Sequence, residues 1–219
     1  MKFFLDTANI ADIESLMHLG IISGITTNPT IISREHTGKA FSHKAHYSRL
    51  LKIIYGLPLS VEVIATETEA MIAEAKELAR LGDNIVVKIP CTYNGISAIT
   101  RLNKLGIRTN CTLVFSLAQA NCAMLAGASY ISPFIGRLED IGADGLALIS
   151  DCVAARDKYT YPTEIICTSI RSTDHIEECI RRGADIATCP PSYFTQLVSH
   201  PLTDKGLEQF MSDYHQSIL

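Results

Sequence analysis

Lys88 is a charge inside an apolar run, Ile85-Val86-Val87-Lys88-Ile89-Pro90. A charged amine among such residues costs free energy unless it is paired or neutralised. Burial disfavours the ammonium form, so an ordinary lysine pKa of about 10.4 can fall by several units. The neutral amine is a nucleophile toward ketones. Two blander readings fit the same position. Lys88 can form a buried ion pair with Glu62, or it can run its stem along the strand and bring its head to solvent.

Other polar residues recur at the ends of apolar runs. Asp6 follows Phe3-Phe4-Leu5, and Thr26, Thr27 and Asn28 follow Gly24-Ile25. Glu62 lies between Val61 and Val63, and Thr112 lies within Asn110–Val114. Ser132 and Phe134 close another run, with Arg137 just beyond, and Thr168, Ser169 and Arg171 follow Ile165-Ile166-Cys167. Each has an ordinary structural use. Asp6 can cap a helix, as can Thr7 or Asn9. Asn28-Pro29 suits a turn. Thr112 fits any strand, and Arg137 has Glu139 and Asp140 nearby for a surface pair. Their shared position at one end of the runs argues against that many coincidences. Taken together they offer a reactive lysine, a carboxylate relay in which Glu62 holds a water oriented by Thr112, and a phosphate clamp of Arg137, Ser169 and Arg171. That set suits carbon–carbon chemistry on ketose phosphates.

The elements that must position these groups alternate in type. Eight short apolar or β-branched runs fall at 2–5, 23–27, 59–64, 84–89, 108–114, 130–134, 164–168 and 186–189. Helical patterns lie between them. Thr66 and Glu69 have the spacing of a capping box, ahead of Met71, Ala75, Leu78 and Ala79, with Gly82 as a stop. Further helices are expected over about 95–105, 117–126, 144–159 and 174–182, and a less regular one over 38–55. Strands alternating with helices imply parallel pairing through right-handed crossovers. Eight such units favour an α/β fold of the (β/α)8 barrel type, in which active-site groups project from the C-terminal strand ends. A doubly wound open sheet is the alternative. The chain reads as a single domain over 1–219, with an extra C-terminal helix within 203–217.

Hydrophobic residues make up 47% of the 219 and charged residues 19%, the profile of a globular chain. The formal net charge is −4, so no cationic surplus exists to neutralise a nucleic-acid backbone. No run approaches the ~20 apolar residues of a membrane span, and Asp6 breaks the N-terminal apolar run, against a signal peptide. A cytoplasmic protein with no nucleic-acid and no membrane partner is expected. The seven cysteines include no C-x-x-C pair, and they read as reduced, buried residues rather than a disulfide or zinc framework. His43 and His46 read as solvated side chains, not metal ligands.

Six segments resemble the transaldolase family, closest to its short bacterial type, which includes fructose-6-phosphate aldolase. They are Leu5–Asn9, Gly24–Pro29, Val86–Pro90, Asn110–Ser116, Ser132–Arg137 and Ser169–Arg171. The resemblance implies a (β/α)8 barrel with a Schiff-base lysine at Lys88. It implies transfer of a dihydroxyacetone unit from sedoheptulose 7-phosphate to glyceraldehyde 3-phosphate, a pentose phosphate pathway reaction. Asp6 would be the acid/base for C3–C4 cleavage, and Glu62 would relay protons through a water next to Thr112. Thr26, Asn28 and Ser132 would hold the dihydroxyacetone part, and Arg137, Ser169 and Arg171 the phosphate. No metal or organic cofactor is implied. Pentameric rings paired into decamers are implied, with the last helix reaching a neighbour.

Two positions depart from the family pattern: Cys91 where Met is frequent, and Thr168 where Ala is usual. The aldolase type, which releases free dihydroxyacetone, carries Gln and Tyr where this chain has Glu62 and Phe134. The transferase is therefore preferred over the aldolase. A non-catalytic sugar-phosphate-binding barrel is a further alternative, disfavoured by the presence of Lys88, Asp6 and Glu62 together.

Overall fold

A computed structural model describes residues 1–35 and 41–217. Its eight strands are β1 (Lys2–Asp6), β2 (Ile22–Thr26), β3 (Leu59–Glu62), β4 (Ile85–Pro90), β5 (Thr109–Val114), β6 (Tyr130–Pro133), β7 (Glu164–Cys167) and β8 (Ile186–Cys189). Each pairs in parallel with the next, and β8 pairs with β1, so the sheet closes. The open doubly wound alternative is excluded. The intervening helices are α1 (Ile10–Met17), α2 (Pro29–Arg34), α3 (His43–Ile53), α4 (Thr68–Ala79), α5 (Tyr93–Lys104), α6 (Leu117–Leu125), α7 (Ile135–Glu139), α8 (Gly145–Tyr159), α9 (Thr173–Arg181) and α10 (Ser192–Leu197), followed by α11 (Pro201–Ser217).

Strand side chains alternate between the helices and the barrel interior. The helix-facing set, including Leu5, Ile25, Val61, Val87, Ile89, Ile131 and Ile165, packs on Ile13, Ala75, Ile99 and Ile149. The inward-facing set forms a separate cluster of Phe4, Val86, Tyr130, Ile166 and Ile186 that fills the barrel floor. Gly24 completes it, because a Cβ there would lie 2.5 Å from the Phe4 ring. One step toward the C-terminal ends, the interior becomes polar: Asp6, Thr26, Ser60, Lys88, Asn110, Ser132 and Thr188. The apolar floor thus carries the polar layer.

Short polar residues start most helices. Asn9, Asn28, Ser42, Thr92, Ser116, Asp144 and Ser172 each accept a backbone N–H from three residues on. Such a cap stabilises by about 1 kcal/mol. The capping box expected at Thr66 and Glu69 does not form. α4 begins at Thr68 without a side-chain cap. Asn94 from α5 donates to the Thr66 carbonyl at 3.2 Å, and Glu69 pairs with Arg101 instead. Helix α5 starts at Tyr93, two residues before the expected Gly95, because Thr92 caps it. In the segment read as 38–55, the helix begins at His43, and residues 36–40 lie outside the described ones.

His46 corrects another expectation. It is buried rather than solvated, with Nε2 2.8 Å from the Ala8 carbonyl. Among the cysteines, 111, 152, 167, 179 and 189 are buried as expected, but Cys91 is half-buried and Cys122 exposed. Helix α11 contains no buried residue, and Leu202, Leu207, Phe210, Met211 and Tyr214 stand exposed along it. Among the described residues, no helix is long and apolar enough to cross a membrane.

Candidate active site

Strand register brings the reactive groups side by side. Glu62 is level with Lys88 across β3 and β4, and Asp6 is level with Thr26 across β1 and β2. Lys88 is 5% exposed. Its Nζ donates to the Thr27 carbonyl at 2.9 Å and lies 3.3 Å from Glu62 Oε2. The lysine does not reach out to solvent; it is held inside the barrel with a carboxylate beside it. That spacing is short enough for a proton to pass between the two groups.

Asp6 lines the same cavity as Lys88 and lies within reach of its charge. Thr26 Oγ1 donates to Asp6 Oδ1 at 2.8 Å and lies 2.6 Å from Thr188 Oγ1. Burial pushes the Asp6 carboxyl above its ordinary range, opposed in turn by the Lys88 charge, the Thr26 hydrogen bond and Arg34. A carboxyl raised in this way can hold or release a proton nearer to neutrality. A second polar chain crosses the same layer. Ser132 Oγ donates to Asn110 Oδ1 at 2.8 Å, and Asn110 Nδ2 donates to Ser60 Oγ at 3.3 Å.

Asp6, Thr26, Asn28, Lys88, Ser132, Phe134, Arg137, Thr168 and Ser169 line a cavity of about 150 Å³ at the barrel mouth. Asn28 does two things there. It borders the cavity, and its Oδ1 caps α2 through Ile31 N–H at 2.8 Å. Arg137 lies over the Phe134 ring at 4.9 Å, with Phe115 behind that ring at 5.5 Å. The Thr168 hydroxyl is tied back to the Pro133 carbonyl at 2.7 Å. Ser169 adopts a left-handed backbone conformation, φ 58°, which costs a non-glycine residue about 1–2 kcal/mol. Its carbonyl accepts Gly136 N–H at 3.0 Å, and a Cβ on Gly136 would come 2.5 Å from that same oxygen. The close approach of α7 to the end of β7 holds the strained serine at the cavity rim.

Three expected site residues stand outside this cavity. Glu62 lines a larger adjoining one, about 460 Å³, together with Tyr47 and Glu74. Burial and then the Glu74 and Glu62 charges push the Tyr47 hydroxyl up to about 12. Thr112 is buried on β5, level with Pro90. Arg171 is half-exposed and binds Asp140 through both terminal nitrogens. The surface pair foreseen for Arg137 therefore belongs to Arg171, and Glu139 takes His175 at 3.1 Å. The sequence reading of the site did not single out Asn110, Thr188 or the Thr27 carbonyl. Asn110 and Thr188 share one signal: each is a polar residue at an inward-facing strand position.

Comparison with known proteins agrees with this geometry. Residues 3–218 match the family model described as Transaldolase/Fructose-6-phosphate aldolase. The chain is 50% identical over 214 residues to a probable transaldolase of Bacteroides fragilis, covering 98% of each. The same figures hold for a probable transaldolase of Parabacteroides distasonis. A probable transaldolase of Porphyromonas gingivalis is 48% identical over 216 residues, covering 99% of this chain and 98% of that one. Among solved structures, a putative fructose-1,6-biphosphate aldolase from Coccidioides immitis superposes with a TM-score of 0.61 at 12% identity, covering 93% of this chain and 81% of that one, a likeness of fold. The barrel, its buried lysine flanked by two carboxylates and this near-complete match together place the chain in the transaldolase/fructose-6-phosphate aldolase family, whose members are aldolase-type enzymes.

Proposed function

We propose that the chain is a transaldolase that moves a dihydroxyacetone unit between sugar phosphates, from sedoheptulose 7-phosphate to glyceraldehyde 3-phosphate, through a Schiff base on Lys88. The observation that carries this reading is Lys88 Nζ, buried on the barrel floor side of the cavity and 3.3 Å from Glu62. Lys88 passes a proton to Glu62 and attacks the ketose carbonyl carbon. Glu62 returns the proton as the carbinolamine loses water, leaving an iminium. Asp6 then takes the proton of the C4 hydroxyl. The C3–C4 bond breaks, its electron pair moves toward the iminium, and the aldose phosphate leaves. Addition to a second aldose reverses these steps, and water releases the product with Glu62 and Thr112 beside it. Thr26, Asn28 and Ser132 hold the three-carbon unit. Arg137 and Ser169 receive the phosphate, and Arg171 joins them by exchanging Asp140 for the phosphate oxygens.

Phe134 favours transfer over release. Its ring, under Arg137, brings no hydroxyl to activate water against the waiting enamine. Assembly and location complete the proposal. The apolar side chains along α11 support a homo-oligomer in which this helix packs on a neighbouring copy, in pentamers or decamers. The substrates and the seven free cysteines support the cytoplasm as its compartment.

Borohydride reduction in the presence of fructose 6-phosphate is expected to leave a stable adduct on Lys88, located by peptide mass spectrometry. Lys88→Met is expected to abolish turnover. An unmodified Lys88, or an active Lys88→Met variant, would sink the mechanism. Rapid loss of dihydroxyacetone from fructose 6-phosphate without any aldehyde acceptor would favour the aldolase reading instead.

A further inference from the structure

The proton count around Asp6 identifies an additional participant. Thr26 has one hydroxyl proton, and that proton goes to Asp6 Oδ1 at 2.8 Å. Thr188 Oγ1 lies 2.6 Å from the same Thr26 oxygen. With Asp6 ionised, the Thr26 proton is committed, so the proton between the two threonines comes from Thr188. Both hydroxyls belong to residues only 2% exposed, which removes solvent as a ready alternative partner. The result is a directed chain, Thr188 to Thr26 to Asp6, that ends on a carboxylate. Hydrogen bonds in such a chain polarise and strengthen one another. Because β8 pairs with β1, Thr188 is level with Phe4, one turn of the pleat below Asp6. It thus meets Thr26 from the floor side and stands outside the lining of the cavity.

We infer that Thr188 is a positioning residue of this site: by donating to Thr26, it obliges Thr26 to donate to Asp6 Oδ1 and leaves the other carboxyl oxygen aimed at the reacting hydroxyl. The inference rests on the Schiff-base reading above, in which Asp6 serves carbon–carbon cleavage and Glu62 serves imine formation. It follows that losing Thr188 impairs cleavage and spares the imine. Other charged or titratable groups act on Asp6, namely Lys88 from β4, Arg34 from α2 and the Cys189 thiol from β8. Substitution of Thr188 leaves all of them in place.

The test compares Thr188→Val, which keeps the shape and removes the hydroxyl, with Thr188→Ser, which keeps the hydroxyl. Thr188→Ala replaces the valine variant if that one does not fold. Turnover is followed with fructose 6-phosphate and erythrose 4-phosphate, and imine formation by borohydride trapping of dihydroxyacetone on Lys88. The hydroxyl-free variant is expected to lose about 10-fold in kcat, less than the ~100-fold that a 1 Å misplacement of a reacting group can cost. Its KM should stay within about twofold, and its adduct yield should match the wild type. The acid limb of its kcat profile should move to higher pH, because the ionised Asp6 loses part of its support. Serine should restore both rate and profile. Wild-type rates in Thr188→Val, a serine variant as slow as the valine one, or adduct loss in step with turnover would each overturn the role of Thr188. Absence of any Lys88 adduct in the wild type would instead sink the Schiff-base reading, and the role of Thr188 with it.

Discussion

At the residue scale, the site sets a carboxyl against its own stability. Burial raises the Asp6 pKa from a reference of 3.8, more than Lys88, Thr26 and Arg34 lower it. The folded chain therefore holds the Asp6 proton more tightly than the unfolded chain. By linkage, the stability this contributes is fully present below the unfolded pKa and is lost as pH rises through the folded one. Asp6→Asn, which never ionises, is expected to unfold at a higher temperature than the wild type at neutral pH. The difference should shrink as pH falls below the unfolded carboxyl range, and the variant should be nearly inactive. Thermal melts of both proteins at several pH values check this; a variant less stable at neutral pH would contradict it. Lys88, Asp6 and Glu62 were legible because a charge in an apolar strand is conspicuous in one dimension. Thr188 was not, since threonine is at home in any strand, and only the closure of β8 on β1 brings it to Thr26. The pairing of Arg171 was not legible, for a related reason. Its partner Asp140 lies 31 residues away, so sequence proximity pointed to Arg137 instead.

At the element scale, the strands were readable because their two faces both bury. One face meets the helices and the other the barrel interior, which gives continuous apolar runs with sparse polar interruptions. Helix starts followed local capping chemistry, except where a neighbouring element intervened. At Thr66 the Asn94 amide occupies the local carbonyl, a contact between the segment before α4 and helix α5 that no spacing rule contains. The glycine on β2 also acts between elements. Gly24→Ala would press a methyl into the Phe4 ring. Overpacking of this kind costs about 1–3 kcal/mol. Denaturant unfolding should show that loss, and adding Phe4→Leu should recover much of it. A Gly24→Ala variant as stable as the wild type would mean that the floor has slack.

At the scale of the whole molecule, α11 stands out because none of its described residues is buried. Its Leu207 is 56% exposed and Phe210 71%, surface that favours association when covered. Light scattering should give a mass several times that of the 24.0 kDa chain. Replacing Leu207 and Phe210 together by serine should lower that mass without altering the circular dichroism of the barrel. A monomeric wild type would remove α11 from any role in assembly. The helix itself was legible from its period; under the proposed assembly the surface that covers it belongs to another copy, which one chain's sequence does not display. Barrel closure, by contrast, followed from counting units along one chain.

The barrel floor has a kinetic consequence. Phe4, Val86, Tyr130, Ile166 and Ile186 make the barrel a cup rather than a tube. A sugar in the cavity enters and leaves at the end opposite this floor, where the described residues leave a space of about 150 Å³. Two sugars cannot pass each other there. Under the proposed chemistry, the first aldose must depart before the second arrives, with the three-carbon fragment left waiting on the lysine. Under that chemistry, a substituted-enzyme rate law, with parallel double-reciprocal lines, is built into the packing of five side chains that do not line the cavity.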